Sequence, residues 1–227
     1  MTLTVRMRNV IASAVGGAAI FVMRAAVICV YGSSIPFWDQ WGAEGGLFKA
    51  LLEGEYKSAN LLSPHNEHRI LVTRLFNIAI FNLNSRQWDN VVEAYMSSVI
   101  VSVAYGILMF VLFRESSKKV AYITGFFIIL IGGLPFGWEN TLVGFQSQIY
   151  FLLLFTFCGL WIVASSNSGA GTAVGVFVFG VGCLFSIASG FLLGLAGIFV
   201  LVLRRMRREL AIQQVATRGI LLVLMTL

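Results

Sequence analysis

Residues Ile70 to Leu83 read ILVTRLFNIAIFNL, an apolar run interrupted by Thr73, Arg74, Asn77 and Asn82. A helix needs about 20 residues to cross a hydrocarbon core of about 30 Å, so this run is short for a span, yet it is too apolar for an ordinary loop. Two topologies compete. If the run crosses a membrane, the basic stretch Arg114 to Lys119 emerges on the opposite side from Arg6 and Arg8; if it lies in the interface as an amphipathic helix, the two clusters share a side.

The charges decide between them. With an interfacial helix, the side holding the N-terminus carries Arg6, Arg8, Arg114, Lys118, Lys119, four arginines between Arg204 and Arg208, and Arg218. Against these ten stand only Glu115 and Glu209, a net of +8. The other side holds five basic and eight acidic residues, a net of −3, and Arg24 lies between. This strong asymmetry is a topogenic signal and predicts a cytoplasmic N-terminus. The overall charge of +6 is thereby explained without nucleic acid.

The rest of the chain agrees with a membrane reading. Only 11% of its 227 residues are charged, against about 25% in a soluble domain. Some 58% are apolar, with 19 phenylalanines, too much hydrocarbon for a globule of this length to hide from water. The expected architecture is all-α, a single polytopic transmembrane helix bundle over residues 1–227. Its spans are expected near 9–31, 91–113, 120–136, 149–165, 172–187 and 190–203, with another opening at 219–227. A chain stopping inside that last run reads as an N-terminal fragment. Extracytoplasmic loops are expected at 32–90, containing the juxtamembrane helix 70–83, and at 137–148. Cys29, Cys158 and Cys183 each lie in apolar runs, as small hydrophobes do.

The candidate chemistry gathers in the two outer loops. The first begins Pro36-Phe37-Trp38-Asp39-Gln40-Trp41. A carboxylate flanked by two indoles where water is scarce is suited to accept a proton, although tryptophans also form the ordinary aromatic belt. Glu44 lies more than a helical turn further on and can share a site with Asp39 without forming a tight pair. The loop closes with Ser63-Pro64-His65-Asn66-Glu67-His68-Arg69. This is not the His-Glu-x-x-His spacing of zinc peptidases. Arg69 and protonated imidazoles suit an anionic phosphate, and Glu67 suits either orienting an imidazole or holding a divalent cation. A polar helix cap is the plainer alternative. Arg74 is either a substrate contact or a side chain snorkelling to the headgroups.

The second loop, Gly137 to Gln148, offers Glu139, Asn140 and Gln146 as partners for sugar hydroxyls, or simply for its own backbone. Arg24, inside the first span but near its outer end, is a functional candidate by its location, unless it merely reaches for the headgroups. The chain contains no Walker A loop, dinucleotide fingerprint or Gly-x-Ser-x-Gly elbow.

This arrangement resembles the membrane-embedded glycosyltransferases of the GT-C class, which use polyprenyl-phosphate sugars. Asp39 matches the carboxylate that follows the first span in that class, Ser63 to Arg69 the loop-closing motif, Ile70 to Leu83 the juxtamembrane helix, and Arg114 to Lys119 the basic cytoplasmic cluster. The likeness covers approximately Arg6 to Phe136 and is architectural. It departs from the class in having a lone Asp where some members have Asp-Glu, and in placing Pro64 before the histidine.

The resemblance implies a hexosyl- or pentosyltransferase in a multi-pass cell membrane protein, of the bacterial inner membrane type. It would move a sugar from its lipid donor to a glycan, lipid or protein acceptor on the extracytoplasmic face. Asp39 would be the base, or with Glu67 a ligand of a divalent cation. His65, His68 and Arg69 would stabilise the departing lipid phosphate. Glu44, Arg74, Glu139 and Gln146 would contact the substrates. The rival readings are a transporter or lipid flippase, which calls for ionisable residues deep in several spans, and a noncatalytic membrane subunit.

Overall fold

A computed structural model describes residues 3–165 and 170–224. The chain is an all-α bundle, and the described residues form no strand. Five helical stretches are long and apolar enough to cross a membrane, Thr4–Tyr31, Asn90–Glu115, Lys118–Leu142, Gly144–Ala164 and Ala188–Met206, the mark of a multi-pass membrane protein; the last three join an α-helix to shorter turns beside it. Helix α1 covers Leu3–Tyr31, α4 Asn90–Glu115 and α5 Lys118–Gly133. Helix α7 covers Ser147–Ala164 and α9 Leu192–Met206. The shorter helices are α2 (Gly46–Glu53), α3 (Leu71–Leu83), α6 (Trp138–Leu142), α8 (Ala170–Leu184) and α10 (Ile212–Leu224).

Small residues bring the first helices together. The Cα of Gly17 on α1 comes so near α4 that a Cβ there would stand 3.0 Å from the Ser102 carbonyl oxygen, and at Gly132 of α5 a Cβ would meet Tyr105 and Ile20. Helices in lipid gain little from the hydrophobic effect against one another, so close backbone approach of this kind supplies much of their association. Ile20, Met109 and Ile128 fill the resulting seam. A second seam, with Val163, Val176, Leu201 and Leu222, joins α7 to the helix pair α8–α9 and to α10.

Both ends of α3 lie at one end of the bundle. Near its start the Val72 amide donates to the Phe185 carbonyl in the α8–α9 turn, and near its finish Phe81 stacks on Phe48 of α2. The helix therefore enters and leaves on one side, with the 32–90 and 137–148 segments and the α8–α9 turn. The opposite end gathers the start of α1, where the Asn9 amide donates to the Phe113 carbonyl, and the Arg204–Glu209 pair beyond α9. These are called the loop end and the arginine end below.

Several expectations change in detail. The α8–α9 hairpin turns at 185–191, with α8 only 15 residues long. The last helix begins at Ile212 rather than at Gly219, and its Arg218 lies buried with its guanidinium donating to the carbonyls of Val163 and Ser165. Residues 225–227 of the span expected there lie outside the described residues. Arg24 does not reach for headgroups: it is 7% exposed and faces inward, donating to Ser98 Oγ, the Gly132 carbonyl and the Tyr150 hydroxyl. A guanidinium inside a bundle has no water to bond, so it takes polar partners from three neighbouring helices.

Candidate functional site

The loop end is built on Asn90, the first residue of α4. Its amide nitrogen donates to the carbonyls of Ser33 and Leu142, and its amide oxygen accepts from the Gly144 backbone at 2.8 Å. One buried side chain thus fixes both outer loops to the top of α4. Gly144 comes so close that a Cβ there would stand 2.3 Å from Glu93 Cβ, which only glycine permits.

Helix α3 turns most of its polar residues inward, Asn82 near its end being exposed. Thr73, Arg74 and Asn77 are buried, while Leu75 and Leu83 are exposed. Thr73 and Asn77 lie one turn apart and so share a face. The Ser147 hydroxyl meets the Thr73 hydroxyl at 3.2 Å. Arg74 neither snorkels nor stands open for substrate: it donates to the carbonyls of Asn60, Leu61 and Ser63. It is the clasp of the Ser58–Leu62 turn, and it positions the segment that follows.

That segment holds the two histidines. His65 and His68 exchange backbone hydrogen bonds at 2.8 and 2.9 Å around a tight turn, in which Asn66 takes the left-handed conformation. The His65 ring stands edge-on to Phe145 of the second loop, with centroids 5.2 Å apart. His68 Nδ1 accepts from the Ala188 amide at 3.3 Å, tying the turn to the α8–α9 connection. Glu67 and Arg69 are exposed beside them, with Arg69 donating to the Leu62 carbonyl.

Asp39 belongs to the same neighbourhood. Burial holds the His65 imidazole below its ordinary range; the Asp39 charge pulls it upward, and the charges of Arg74 and His68 push it further down. His65 is therefore neutral at pH 7, which departs from the expectation of two protonated imidazoles, and its buried Nε2 has no hydrogen-bond partner among the described residues. Asp39 itself is exposed, as are Trp38 and Trp41, so the carboxylate faces outward rather than being enclosed by indoles. Glu139 is exposed in the first turn of α6, and Gln146 is half-buried next to Phe145.

Glu44 points the other way. A π-helical turn over Trp41–Gly45 leads into α2 and places Asp39 outside and Glu44 inside, 2% exposed. Gln40, fully buried, accepts from the Phe37 amide through its oxygen and donates through its nitrogen to both Glu44, at 2.9 Å, and Glu93 of α4, at 3.3 Å. The Asn77 amide donates to Glu44 as well. Burial pushes the Glu44 carboxyl up to about 8, against the opposing pull of Gln40 and the Trp88 indole. No lysine or arginine forms an ion pair with either carboxyl among the described residues, so burial and mutual repulsion disfavour ionising both. Glu93, Gln40 and Asn77 escaped the sequence reading. In the sequence Glu93 is only one of the eight acidic residues counted on the outer side, and the fold brings it to Glu44.

The arrangement thus has two tiers. Asp39, the His65–His68 turn and Arg69 form an outer rim with a carboxylate, two half-buried imidazoles and a cation. Beneath it, Gln40, Glu44, Asn77 and Glu93 form a buried polar layer that holds the rim's elements. Among the described residues no three His, Cys, Asp or Glu side chains are grouped to hold a metal ion, and Asp39 and Glu67 form no such group. No family model, curated protein or solved structure matches the chain.

Proposed function

We propose that the protein is an integral membrane glycosyltransferase that moves a sugar from a polyprenyl-phosphate donor to a cell-envelope acceptor on the extracytoplasmic side. The observation that carries this reading is the position of Asp39 within electrostatic reach of the His65–His68 turn, at the bundle end where both loops and the α8–α9 turn meet. In this reading the loop end is extracytoplasmic and the arginine end cytoplasmic, in keeping with the concentration of basic residues at the latter.

The division of labour follows from the chemistry. A sugar on a lipid phosphate is already activated, so the chain has to hold two substrates in line, take a proton from the acceptor hydroxyl and accommodate charge on the departing phosphate. Asp39, exposed and without a hydrogen bond to the buried layer, is free to take that proton. Arg69 supplies fixed positive charge beside the leaving oxygen. Neutral His65 contributes as a hydrogen-bonding group, and His68 is oriented by the Ala188 amide. Glu139 and Gln146 of the second loop are placed for sugar or acceptor hydroxyls.

The test is release of polyprenyl phosphate by the full chain in membranes supplied with polyprenyl-phosphate hexose or pentose. Acceptor-dependent release is expected. Arg69→Gln should slow it by about 10²-fold, the worth of one donor to a developing anion. Absence of release with every donor tried, in protein that is folded, contradicts the proposal.

A further inference from the structure

Two cavities lie away from the candidate site, and they share a wall. The larger, about 860 Å³, opens at the arginine end between α4, α7 and α9. Its wall on α4 passes from Leu108 to Arg114, and on α9 from Val200 to Arg204 and Arg207. On both helices hydrocarbon thus gives way to guanidinium in the same direction, over about 10 Å at 1.5 Å per residue. The smaller, about 630 Å³, is a groove between α1 and α4, lined by residues such as Val10, Ala14, Val103 and Phe110. Its two hydroxyls donate within their own helices, Ser13 to the Asn9 carbonyl and Ser102 to the Ser98 carbonyl, so the groove has few polar groups left for water. Trp161 of α7 lines both cavities and stands edge-on to Phe110 at 5.8 Å.

The charge at the rim is net positive. Arg114 pairs with Glu115 at 2.9 Å and Arg204 with Glu209 at 2.8 Å, while exposed Arg207 forms no ion pair among the described residues. A cavity that is apolar in its depth, basic at its mouth and continued by a dry groove matches the head-to-tail chemistry of one class of molecule. We propose that the two cavities form a binding site for an anionic phospholipid of the surrounding bilayer, with its phosphate against Arg114, Arg204 and Arg207 and an acyl chain in the groove between α1 and α4. Basic pockets between membrane helices take anionic headgroups in this way. The inference does not depend on the activity proposed above, since it concerns the opposite end of the bundle.

Trp161 provides the readout, because Trp38, Trp41, Trp88 and Trp138 all lie at the loop end. The full chain in mixed micelles is titrated with acyl-brominated phosphatidylglycerol or phosphatidylcholine, and the quenching lost in Trp161→Phe is assigned to Trp161. Phosphatidylglycerol should reach half-maximal quenching at a concentration about fivefold lower than phosphatidylcholine, and Arg207→Gln should erase most of that preference. Arg207→Gln alters an exposed side chain outside any ion pair, so its comparison with wild type stands even if Trp161→Phe fails to fold. Equal quenching by the two lipids overturns the proposal, as does an unchanged preference in Arg207→Gln. Inorganic phosphate at matched ionic strength should leave quenching unaltered; reversal by phosphate assigns the rim to a free anion and also overturns it.

Discussion

Glu44 is the residue whose chemistry differs most from its appearance in the sequence. Its carboxyl ionises near pH 4.5 when exposed and near 8 in the fold, because burial penalises the charged form. Between those values the unfolded chain has lost a proton that the native chain keeps, so native stability falls as pH rises through that window and levels off above it. Thermal unfolding of the detergent-solubilised protein should show this decline from about pH 5 to about pH 8. Glu44→Gln, which keeps the shape without the titration, should make it shallower, with buried Glu93 left to titrate; a wild-type profile that rises over the same range contradicts the assignment. Arg74 makes a second residue-scale case. Replacing it by Met leaves the carbonyls of Asn60, Leu61 and Ser63 without their donor, and should cost about 2 to 3 kcal/mol in denaturant unfolding.

At the scale of elements, α3 shows what periodicity reveals and what it hides. The run from Ile70 to Leu83 was legible as a short helix, and it forms one over Leu71–Leu83. Which face it buries was not legible. Thr73, Arg74 and Asn77 would face water on a soluble helix, but here they turn inward, to Ser147, to the carbonyls of Asn60, Leu61 and Ser63, and to Glu44 in turn, and leave Leu75 and Leu83 outside. The same limitation concealed Glu93 and Asn90, whose partners are about 50 residues away or more in the chain. Asp39 and His65 to Arg69 could be picked out because charge and imidazole are scarce in this sequence. Gly144 ties these elements together: a methyl group there would overlap Glu93 and the Ala94 amide. Gly144→Ala should therefore lower stability by about 1 to 3 kcal/mol and shift Glu93 away from Gln40. An alanine variant as stable as wild type would show that the second loop is held less tightly than described.

At the scale of the whole molecule, the bundle sorts its chemistry by end. Carboxylates, histidines and loop turns occupy one end, and most arginines and lysines the other, while the helices between contain few ionisable groups and bury those they have in polar contacts. In the proposed reading, this separation places the reaction at a surface and not along a path through the bundle. The proposed orientation is one that labelling can check. A cysteine at Ser117, in the α4–α5 turn, should resist an impermeant thiol reagent added from outside the cell, whereas one at Ser58 should react. The reverse pattern would invert the orientation and place Asp39 on the cytoplasmic side.

The decisive measurement is sugar transfer by the full chain carrying Asp39→Asn. Asp39 is exposed and bonds to nothing in the buried layer, so the variant should express, fold and unfold like wild type. Transfer from a polyprenyl-phosphate sugar should nevertheless fall by about 10²- to 10⁴-fold, the usual worth of a general base. Near-normal turnover in Asp39→Asn would remove the carboxylate from the mechanism and contradict the proposed activity of the loop end.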